Sequence, residues 1–181
     1  KDLVNSLQDN QININIKYTS SIQIHNDTAY GKSKKDGRAL MIEWAKNSGS
    51  KFTGMIIPNV FGPFGKPNYN SVIATFCHKL ANNKNPSIEL DGEMKLIYIG
   101  ELVVEFLKEI RKSKSNEKVL VSHTSESKVS ELLSLLKNYK LQYQDNGEIP
   151  KINNTFELNL FNTFRSYMDI KLYFPVKLTQ H

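Results

Sequence analysis

Residues 12–57 decide the fold, and they read ININIKYTSSIQIHNDTAYGKSKKDGRALMIEWAKNSGSKFTGMII. Ile and Asn alternate over 12–16, and this period of two predicts a strand that ends in the hydroxyl-bearing run 19–21. A polar loop with N-cap residues then precedes a helix predicted over 29–46. The compact apolar run 52–57 predicts a strand buried on both faces. Strand, helix and strand in this order predict a parallel sheet covered by helices, so the fold class is α/β.

The rest of the chain continues the alternation of helices and strands. The loop over 58–70 is rich in Gly, Pro and Asn and is long for a plain connector. Hydrophobic spacing and turn signals predict strands over 87–90 and 95–99 around a turn at Asp91-Gly92, a strand over 119–121, helices over 1–8, 72–81, 101–111 and 129–136, and a last helix opened by the capping pair Asn154 and Glu157. The predicted buried side of helix 101–111 is Leu102, Val103, Phe106, Leu107 and Ile110.

Composition limits the class of protein. The chain has 181 residues, 39% of them apolar and 23% charged, which is enough for a domain with a sizeable core. No apolar run approaches the roughly 20 residues of a membrane span, so we expect no membrane insertion. The single cysteine, Cys77, excludes an internal disulfide framework and indicates a reducing, cytoplasmic compartment. The four histidines have no metal-ligand spacing, so we expect no metal site.

The positive charge of the chain does not indicate a nucleic-acid partner. The formal charge of +6 comes from 21 Lys and only 3 Arg. Proteins that read bases and phosphates favour Arg, whose guanidinium donates two parallel hydrogen bonds. The lysines are scattered, and no basic run is longer than Lys34-Lys35. We therefore expect no nucleic-acid binding.

A candidate active site lies where the first strand ends and the next helix begins. Ser20 and Ser21 close the strand, and Tyr30 and Lys34 are four residues apart on one face of the helix. A neighbouring ammonium favours the phenolate and so lowers the pKa of a tyrosine toward neutral pH. Such a tyrosine exchanges a proton with a carbonyl or carbinol oxygen, and a serine hydroxyl holds that oxygen by a hydrogen bond.

The spacing Tyr-x-x-x-Lys is not specific by itself. With 8 Tyr and 21 Lys in 181 residues, about one match is expected by chance, and the chain has three. Only Tyr30 follows a strand that ends in serines and starts a helix that leads into a buried strand. The other two matches are Tyr167/Lys171 and Tyr173/Lys177. Both lie near the end of the chain, where we expect a surface tyrosine and a solvated lysine.

The chain resembles the extended short-chain dehydrogenase/reductase family, which includes the NAD-dependent epimerases and dehydratases. The most similar branch joins a reductase domain to a C-terminal cupin and acts in capsular polysaccharide synthesis. The resemblance is carried by the stretches 19–23, 30–35, 57–63, 66–78 and 96–99. It covers most of residues 12–107, and the stretch 174–178 resembles the connector that enters the cupin.

The resemblance implies part of a Rossmann-like parallel sheet, with helices on both faces and a small substrate-capping region. It assigns 1–60 and 94–122 to the C-terminal part of the dinucleotide-binding domain, and 61–93 and 123–181 to a substrate-binding region. The implied catalytic residues are Ser20, Ser21, Tyr30 and Lys34. The implied cofactor-binding residues are Tyr30, Lys34, Pro58, Asn59 and Val60. The residues implied to face the sugar nucleotide are Asn59, Asn68, Tyr69, Asn70 and His78.

The chain departs from the family pattern in three places. Ile57 stands where the family usually has Arg, and the run 99–102 replaces a common Val-Asp-Asp-Val pattern. None of the nine glycines has the spacing of the glycine-rich turn that holds the diphosphate of a dinucleotide. We therefore expect these residues to be the C-terminal part of a reductase domain that holds NAD or NADP weakly and is inactive by itself.

The expected function is the NAD(P)H-dependent reduction of a keto UDP-sugar in capsular or surface polysaccharide synthesis, by a homodimer. Sugar dehydration is disfavoured because Ile22 and Gln23 occupy the positions where a dehydratase needs acid and base groups. Two alternatives remain open. One is a sugar-nucleotide epimerase of the same family. The other is a catalytically silent fragment that acts as a structural or dimerisation module, which the missing glycine turn favours.

Overall fold

The structure is a computed structural model that describes residues 2–9, 13–21, 29–112 and 114–173, without the side chains of Gln8, Asp9, Tyr30 and Ile170. Its helices are α1 (Asp2–Asp9), α2 (Ala29–Ser48), α3 (Val72–Ala81), α4 (Ile99–Arg111), α5 (Val129–Tyr139), α6 (Thr155–Arg165) and α7 (Ile170–Tyr173), with a π-helix over Lys140–Asp145. Its strands are β1 (Asn15–Ser21), β2 (Lys51–Ile57), β3 (Asn59–Phe61), β4 (Glu93–Tyr98), β5 (Asn116–Leu120) and β6 (Ser125–Lys128). The α/β class predicted from the sequence is confirmed.

The chain divides into two compact units, and each is described by itself. The first unit contains Lys1–Asn59 and Glu101–His123, and the second contains Val60–Gly100 and Thr124–His181. Residues 94–100, which the sequence analysis grouped with 101–122, fall in the second unit because β4 pairs there with β6. The assignment of cofactor binding to one region and substrate binding to the other stays a prediction.

The first unit is built on a parallel three-stranded sheet in the order β1-β2-β5. Strand β2 lies in the middle, and its five residues from Phe52 to Ile56 are all buried, as the continuous apolar run predicts. On one face, α2 covers the sheet with Trp44 and Ala45, which pack with Phe52 and with Val4 of α1. Burying an aromatic or aliphatic side chain of this size is worth about 1.5–3 kcal/mol. Because β1, α2 and β2 follow one another along the chain and β1 pairs parallel with β2, the strand–helix–strand unit predicted over 12–57 is present.

The orientation of α4 differs from the sequence prediction. Leu102 is buried as predicted, but Val103, Leu107 and Ile110 expose 47%, 46% and 56% of their surface. Glu109 is buried in their place, at 6% exposure. Its carboxylate can be buried because Lys112 pairs with it. The apolar side of this helix therefore faces outward in the first unit, and the predicted burial of its three exposed members is wrong.

The second unit has its own sheet, β3-β4-β6, and its own core. Helices α3, α5 and α6 enclose this core, whose most buried members are Ile73, Phe76, Cys77, Leu96, Leu132, Leu136, Tyr139, Leu160 and Phe164. The capping pair predicted at α6 is present, because the Asn154 Oδ1 accepts a hydrogen bond of 2.9 Å from the backbone N–H of Glu157. This bond satisfies one of the open donors at the start of the helix.

The hairpin predicted around Asp91-Gly92 is wrong. Residues 87–90 form no strand, and β4 pairs antiparallel with β6, so that Met94 lies opposite Ser127. The Asp91 carboxylate instead caps α5, accepting hydrogen bonds of 2.8 Å from the backbone N–H and from the hydroxyl of Ser130. These bonds lower the pKa of Asp91. The sequence analysis assigned Asp91 to a local turn, whereas in the structure it caps a helix that begins 38 residues later in the chain.

Candidate functional site

The predicted serine strand and the predicted nicotinamide loop meet at one end of the parallel sheet. Strands β1 and β2 run in the same direction and stay in register to their ends, with Ser20 opposite Ile56 and Ser21 opposite Ile57. Pro58 and Asn59 follow directly after β2. The structure therefore brings Ser20, Ser21, Pro58 and Asn59 to the carboxyl end of two neighbouring strands, where open α/β sheets bind ligands.

Ser20 has an unusual environment for a hydroxyl group. Its side chain is 1% exposed, and its Oγ forms no hydrogen bond with any described residue. Side chains alternate along a strand, so Ser20 lies on the face of β1 that carries Ile16 and Tyr18, which pack with α2. Ser21 is half-buried and belongs by the same alternation to the opposite face. A buried hydroxyl without a partner is costly, and such a group in a folded protein calls for an explanation such as an ordered water or a role in catalysis.

A hydrogen bond fixes α2 against the serine strand. The Tyr18 hydroxyl donates to the backbone carbonyl of Lys34, with 3.2 Å between the oxygens. Gly37 makes this approach possible, because a Cβ at that position would lie 2.8 Å from the Tyr18 Oη. The first two turns of α2 are therefore held close to the strand whose end carries Ser20.

Tyr30, the predicted proton donor, and Lys34, the residue predicted to lower its pKa, lie in these two turns of α2. Tyr30 is the second residue of α2, and Lys34 follows four residues later, so the two positions share a helix face. The side chain of Lys34 is half-buried, and the side chain of Tyr30 lies outside the described part of the structure. The structure thus places the backbone of the proposed pair beside the serine strand, and the distance from the phenol to Ser20 stays a prediction.

The other tyrosines at Tyr-x-x-x-Lys spacing have structural roles. The Tyr167 hydroxyl donates a 2.6 Å hydrogen bond to the backbone carbonyl of Gly65, and burial raises its pKa to about 12. The Tyr173 hydroxyl accepts a 2.8 Å hydrogen bond from the Gln144 amide. Lys171 is exposed, and Lys177 lies outside the described residues. Tyr167 and Tyr173 are therefore half-buried, and the surface position expected for both tyrosines is wrong. The pKa of Tyr167 is raised, whereas a catalytic phenol needs a lowered pKa.

In the second unit, the residues predicted to face a sugar nucleotide lie at both ends of α3. Asn68, Tyr69 and Asn70 are exposed just before its N-terminus. Val60, which was predicted to bind the cofactor and not the sugar nucleotide, lies on β3. His78 lies in the last turn, where the Asn82 amide donates a 2.8 Å hydrogen bond to its backbone carbonyl. His78 lies six residues after Val72, the first residue of α3, which is about 9 Å along the helix axis. The structure brings the three loop residues together and does not bring His78 to them.

One exposed aromatic residue in the same loop was not singled out in the sequence. Phe64 is 82% exposed and has a positive φ of 61°. The available signal was its position between Pro63 and Gly65 in a loop that is long for a connector. Exposure and backbone conformation, which mark it as unusual, are visible only in the structure.

Two further groups of residues bear on the chemistry. Burial raises the pKa of the Cys77 thiol, which packs in the core as expected from its place on the apolar side of α3. Within the described ranges, His, Cys, Asp and Glu form no cluster of three that could hold a metal ion. Over the same ranges, the structure contains no helix with the length and apolar character needed to cross a membrane.

Comparison with known proteins connects this arrangement to a family. The family model described as "NAD dependent epimerase/dehydratase family" matches residues 8–122. Over 107 residues the chain is 36% identical to the UDP-2-acetamido-2,6-beta-L-arabino-hexul-4-ose reductase of Pseudomonas aeruginosa, which corresponds to 59% of this chain and 29% of the relative.

Two solved structures show which known folds the chain resembles. The capsular polysaccharide assembling protein CapF from Staphylococcus aureus superposes with a TM-score of 0.81 and 32% identity, over 99% of this chain and 51% of that chain. The chain therefore spans about half the length of this relative. RMD from Pseudomonas aeruginosa, solved with NADPH, superposes with a TM-score of 0.73 and 16% identity, over 92% of this chain and 69% of that chain, a likeness of fold alone.

Proposed function

Because the chain belongs to the NAD-dependent epimerase/dehydratase family, we propose that it carries the proton-transfer residues and part of the substrate site of an NAD(P)H-dependent reductase of a keto UDP-sugar. The observation that carries this proposal is the buried Ser20 hydroxyl, which forms no hydrogen bond with any described residue at the carboxyl end of two parallel strands. The family membership and the reductase relative support an enzyme of the short-chain dehydrogenase/reductase type.

The proposed chemistry is a proton transfer at a sugar carbonyl. Tyr30 donates its phenolic proton to the carbonyl oxygen as that oxygen gains charge, and the Lys34 ammonium stabilises the phenolate left behind. Ser20 or Ser21 donates a hydrogen bond to the same oxygen and holds it beside the phenol. Ser20 is the better candidate on burial and Ser21 on resemblance to the family, so both belong in the test.

A nicotinamide cofactor supplies the hydride that the carbonyl carbon accepts. The residues fit its reacting end: Tyr30 and Lys34 would face the nicotinamide and its ribose, and Pro58, Asn59 and Val60 would lie beside the ring. They do not fit its diphosphate, because none of the nine glycines has the spacing of a diphosphate-binding turn. We therefore propose that the 181-residue chain alone binds NADPH more weakly than the low micromolar range, about −8 kcal/mol, and is inactive. A fluorescence titration with NADPH measures this.

The substrate and setting follow from the relatives. The reductase of Pseudomonas aeruginosa acts on a UDP-linked keto sugar by its name, and CapF assembles capsular polysaccharide by its title. We propose a UDP-sugar substrate for this chain, contacted by Asn59, Asn68, Tyr69, Asn70 and His78. We also propose a role in capsular or surface polysaccharide synthesis, in the cytoplasm, as a homodimer.

The proposal is tested by removing the proton donor in the enzyme that joins these residues to a glycine-rich dinucleotide turn. Tyr30→Phe should lower turnover by about 10²-fold or more without changing the melting temperature, because the hydroxyl is lost and the ring is kept. Tyr173→Phe is the matched control and should leave turnover near wild type. Turnover that is unchanged in Tyr30→Phe would remove the basis of the proposal.

Two other functions within the same chain are distinguished by the same assay. A sugar-nucleotide epimerase would interconvert two UDP-sugars without net consumption of NADPH, and Tyr30→Phe would slow that reaction instead. A silent structural or dimerisation module is favoured by the missing glycine turn and by the exposed apolar side chains Val103, Leu107 and Ile110 of α4. A module of that kind would show no turnover with any UDP-sugar even when a dinucleotide turn is present.

A further inference from the structure

Helix α2 is tied to both outer strands of the sheet in the first unit. On one side, the Tyr18 hydroxyl of β1 donates a hydrogen bond to the Lys34 carbonyl, with 3.2 Å between the oxygens. On the other side, the Arg38 guanidinium of α2 donates through Nη2 to the backbone carbonyl of Glu117 on β5. Because β1 and β5 flank the central strand β2, the two bonds together fix the rotation of the helix about its own axis.

The middle strand leaves room for Arg38 to reach β5. Gly54 pairs with Tyr18 in the parallel register, so it lies in the row of the sheet that faces α2. A Cβ at Gly54 would lie 2.6 Å from the Glu117 carbonyl oxygen and 3.0 Å from the Arg38 Nε. Any side chain at this position would therefore displace the guanidinium from its acceptor.

The acceptor lies where the pairing of β2 with β5 is irregular. The register between these strands shifts between Thr53 and Met55, at Gly54. A bulge of this kind interrupts the ladder of backbone hydrogen bonds. The bond from Arg38 therefore joins α2 to β5 at the place where the ladder is interrupted.

Stability alone does not explain an arginine at this position. The Arg38 Nε is buried and forms no hydrogen bond with any described residue. A buried donor of a charged group is costly when it has no partner, and an apolar residue of similar volume is often at least as stable in such a place. A charged side chain that is kept at this cost calls for an explanation in function.

We propose that Arg38 is a positioning residue for the proton transfer: its bond to β5 sets the rotation of α2 and thereby the positions of Tyr30 and Lys34 relative to β1. The three residues follow one another at intervals of four, so they share one side of the helix. Arg38 lies eight residues after Tyr30, about 12 Å along the axis, so it acts through the helix and not by touching the reacting oxygen. The inference rests on the proposed function and adds a residue that the sequence analysis did not assign.

The test removes the tie and measures kcat and KM separately in the assay of the proposed reductase. Arg38→Met keeps an unbranched side chain and removes both the charge and the donors. A displacement of a reacting group by about 1 Å costs on the order of 10²-fold in rate, so kcat should fall by about ten-fold or more. KM for the UDP-sugar should stay within about two-fold, because the lost interaction orients the proton donor and does not bind the substrate.

Two further variants separate positioning from a general loss of structure. Arg38→Lys keeps a charged donor and should restore part of the lost kcat. Gly54→Ala keeps Arg38 but displaces its guanidinium, so it should lower kcat as well, and adding Arg38→Met to it should cause little further loss. Melting temperatures of the Arg38 variants within about 2 °C of wild type show that folding is unaffected.

Two lysines of the same helix are matched controls. The Lys46 ammonium pairs with the Glu117 carboxylate at 3.1 Å, so Lys46→Met also removes a link from α2 to Glu117. This ion pair is exposed and lies near the other end of the helix from Tyr30, and kcat should not change. Lys35→Met removes an exposed positive charge next to Lys34 and should likewise leave kcat near wild type.

The outcomes separate this inference from the proposed function. If Tyr30→Phe is impaired and Arg38→Met keeps the wild-type kcat, Arg38 has no positioning role and the proposed function stands. If Lys35→Met lowers kcat as much as Arg38→Met does, the loss comes from charge and not from position, and the inference is wrong. If Tyr30→Phe turns over like wild type, the proposed function fails and the inference fails with it.

Discussion

The hydroxyl of Tyr18 on β1 donates a hydrogen bond to the backbone carbonyl of Lys34 on α2, with 3.2 Å between the two oxygens. Tyr18 lies two residues before Ser20, and Lys34 lies four residues after Tyr30. The bond therefore ties the strand that ends in serines to the helix that begins with the proposed acid.

We expect Tyr18→Phe to loosen this connection. Loss of one neutral hydrogen bond should lower the free energy of unfolding by about 0.5–1.5 kcal/mol. The ring contact with Phe52, whose centroid is 6.2 Å away, should be retained. Chemical denaturation measures the change, and Phe at this position should also lower turnover modestly in the assay of the proposed reductase. An unchanged unfolding free energy would show that the bond contributes nothing to the first unit.

Ser20→Ala should separate function from stability. Because the Ser20 Oγ forms no hydrogen bond with any described residue, its removal should leave the unfolding free energy unchanged or raise it slightly. Turnover in the assay of the proposed reductase should nevertheless fall by about 10-fold or more, since the reacting oxygen loses a donor. Ser21→Ala is the matched variant, and a larger loss of turnover there would transfer the role to Ser21.

Tyr167→Phe should affect the loop instead of the chemistry. Its hydroxyl holds the Gly65 carbonyl, so the variant should lose about 1 kcal/mol of stability. Faster amide hydrogen exchange over 64–68 should accompany this loss. The phenol is protonated at neutral pH because burial raises its pKa to about 12. A loss of turnover equal to that of Tyr30→Phe, at unchanged stability, would show that the wrong tyrosine was chosen.

The exposed apolar side of α4 should make the 181-residue chain self-associate. Val103, Leu107 and Ile110 are each about half exposed, and exposed apolar patches drive association. The double variant Leu107→Lys/Ile110→Lys should shift the chain toward monomer in sedimentation velocity, and Leu141→Lys, on an exposed position of the second unit, should not. Equal association of all three chains would place the contact elsewhere.

The cap of α5 should depend on pH. Hydrogen bonds from Ser130 lower the pKa of Asp91 in the folded state, so the folded protein favours the carboxylate more than the unfolded chain does. The resulting stability is present above the unfolded pKa of about 3.9 and is lost as the pH falls through the lower folded pKa. Asp91→Asn should therefore lower the melting temperature at pH 7, and the difference should disappear in stronger acid. A difference that stays constant with pH would contradict this cause.

The elements that depend on neighbouring residues in sequence were predictable. Period-two alternation, the N-cap signals and the buried run 52–57 gave β1, α2 and β2 close to their observed bounds. The same local signals correctly predicted that the serines end a strand and that positions 30 and 34 share one face of a helix. Local hydrogen bonds and side-chain periodicity determine such features, and the sequence contains both.

Features that depend on distant residues were decided only by the tertiary structure. Asp91 caps α5 across 39 positions, and β4 pairs with β6, so a turn signal at Asp91-Gly92 was misread as a hairpin. An apolar stripe on α4 indicated burial, but which side of a helix is covered depends on what the fold places against it, and Glu109 was buried beside Lys112 instead. The buried hydroxyl of Ser20, which forms no hydrogen bond with a described residue, and the exposed ring of Phe64 likewise arise from long-range packing. Sequence periodicity determines which faces an element has, whereas the partner of each face is set by chain segments far away along the sequence.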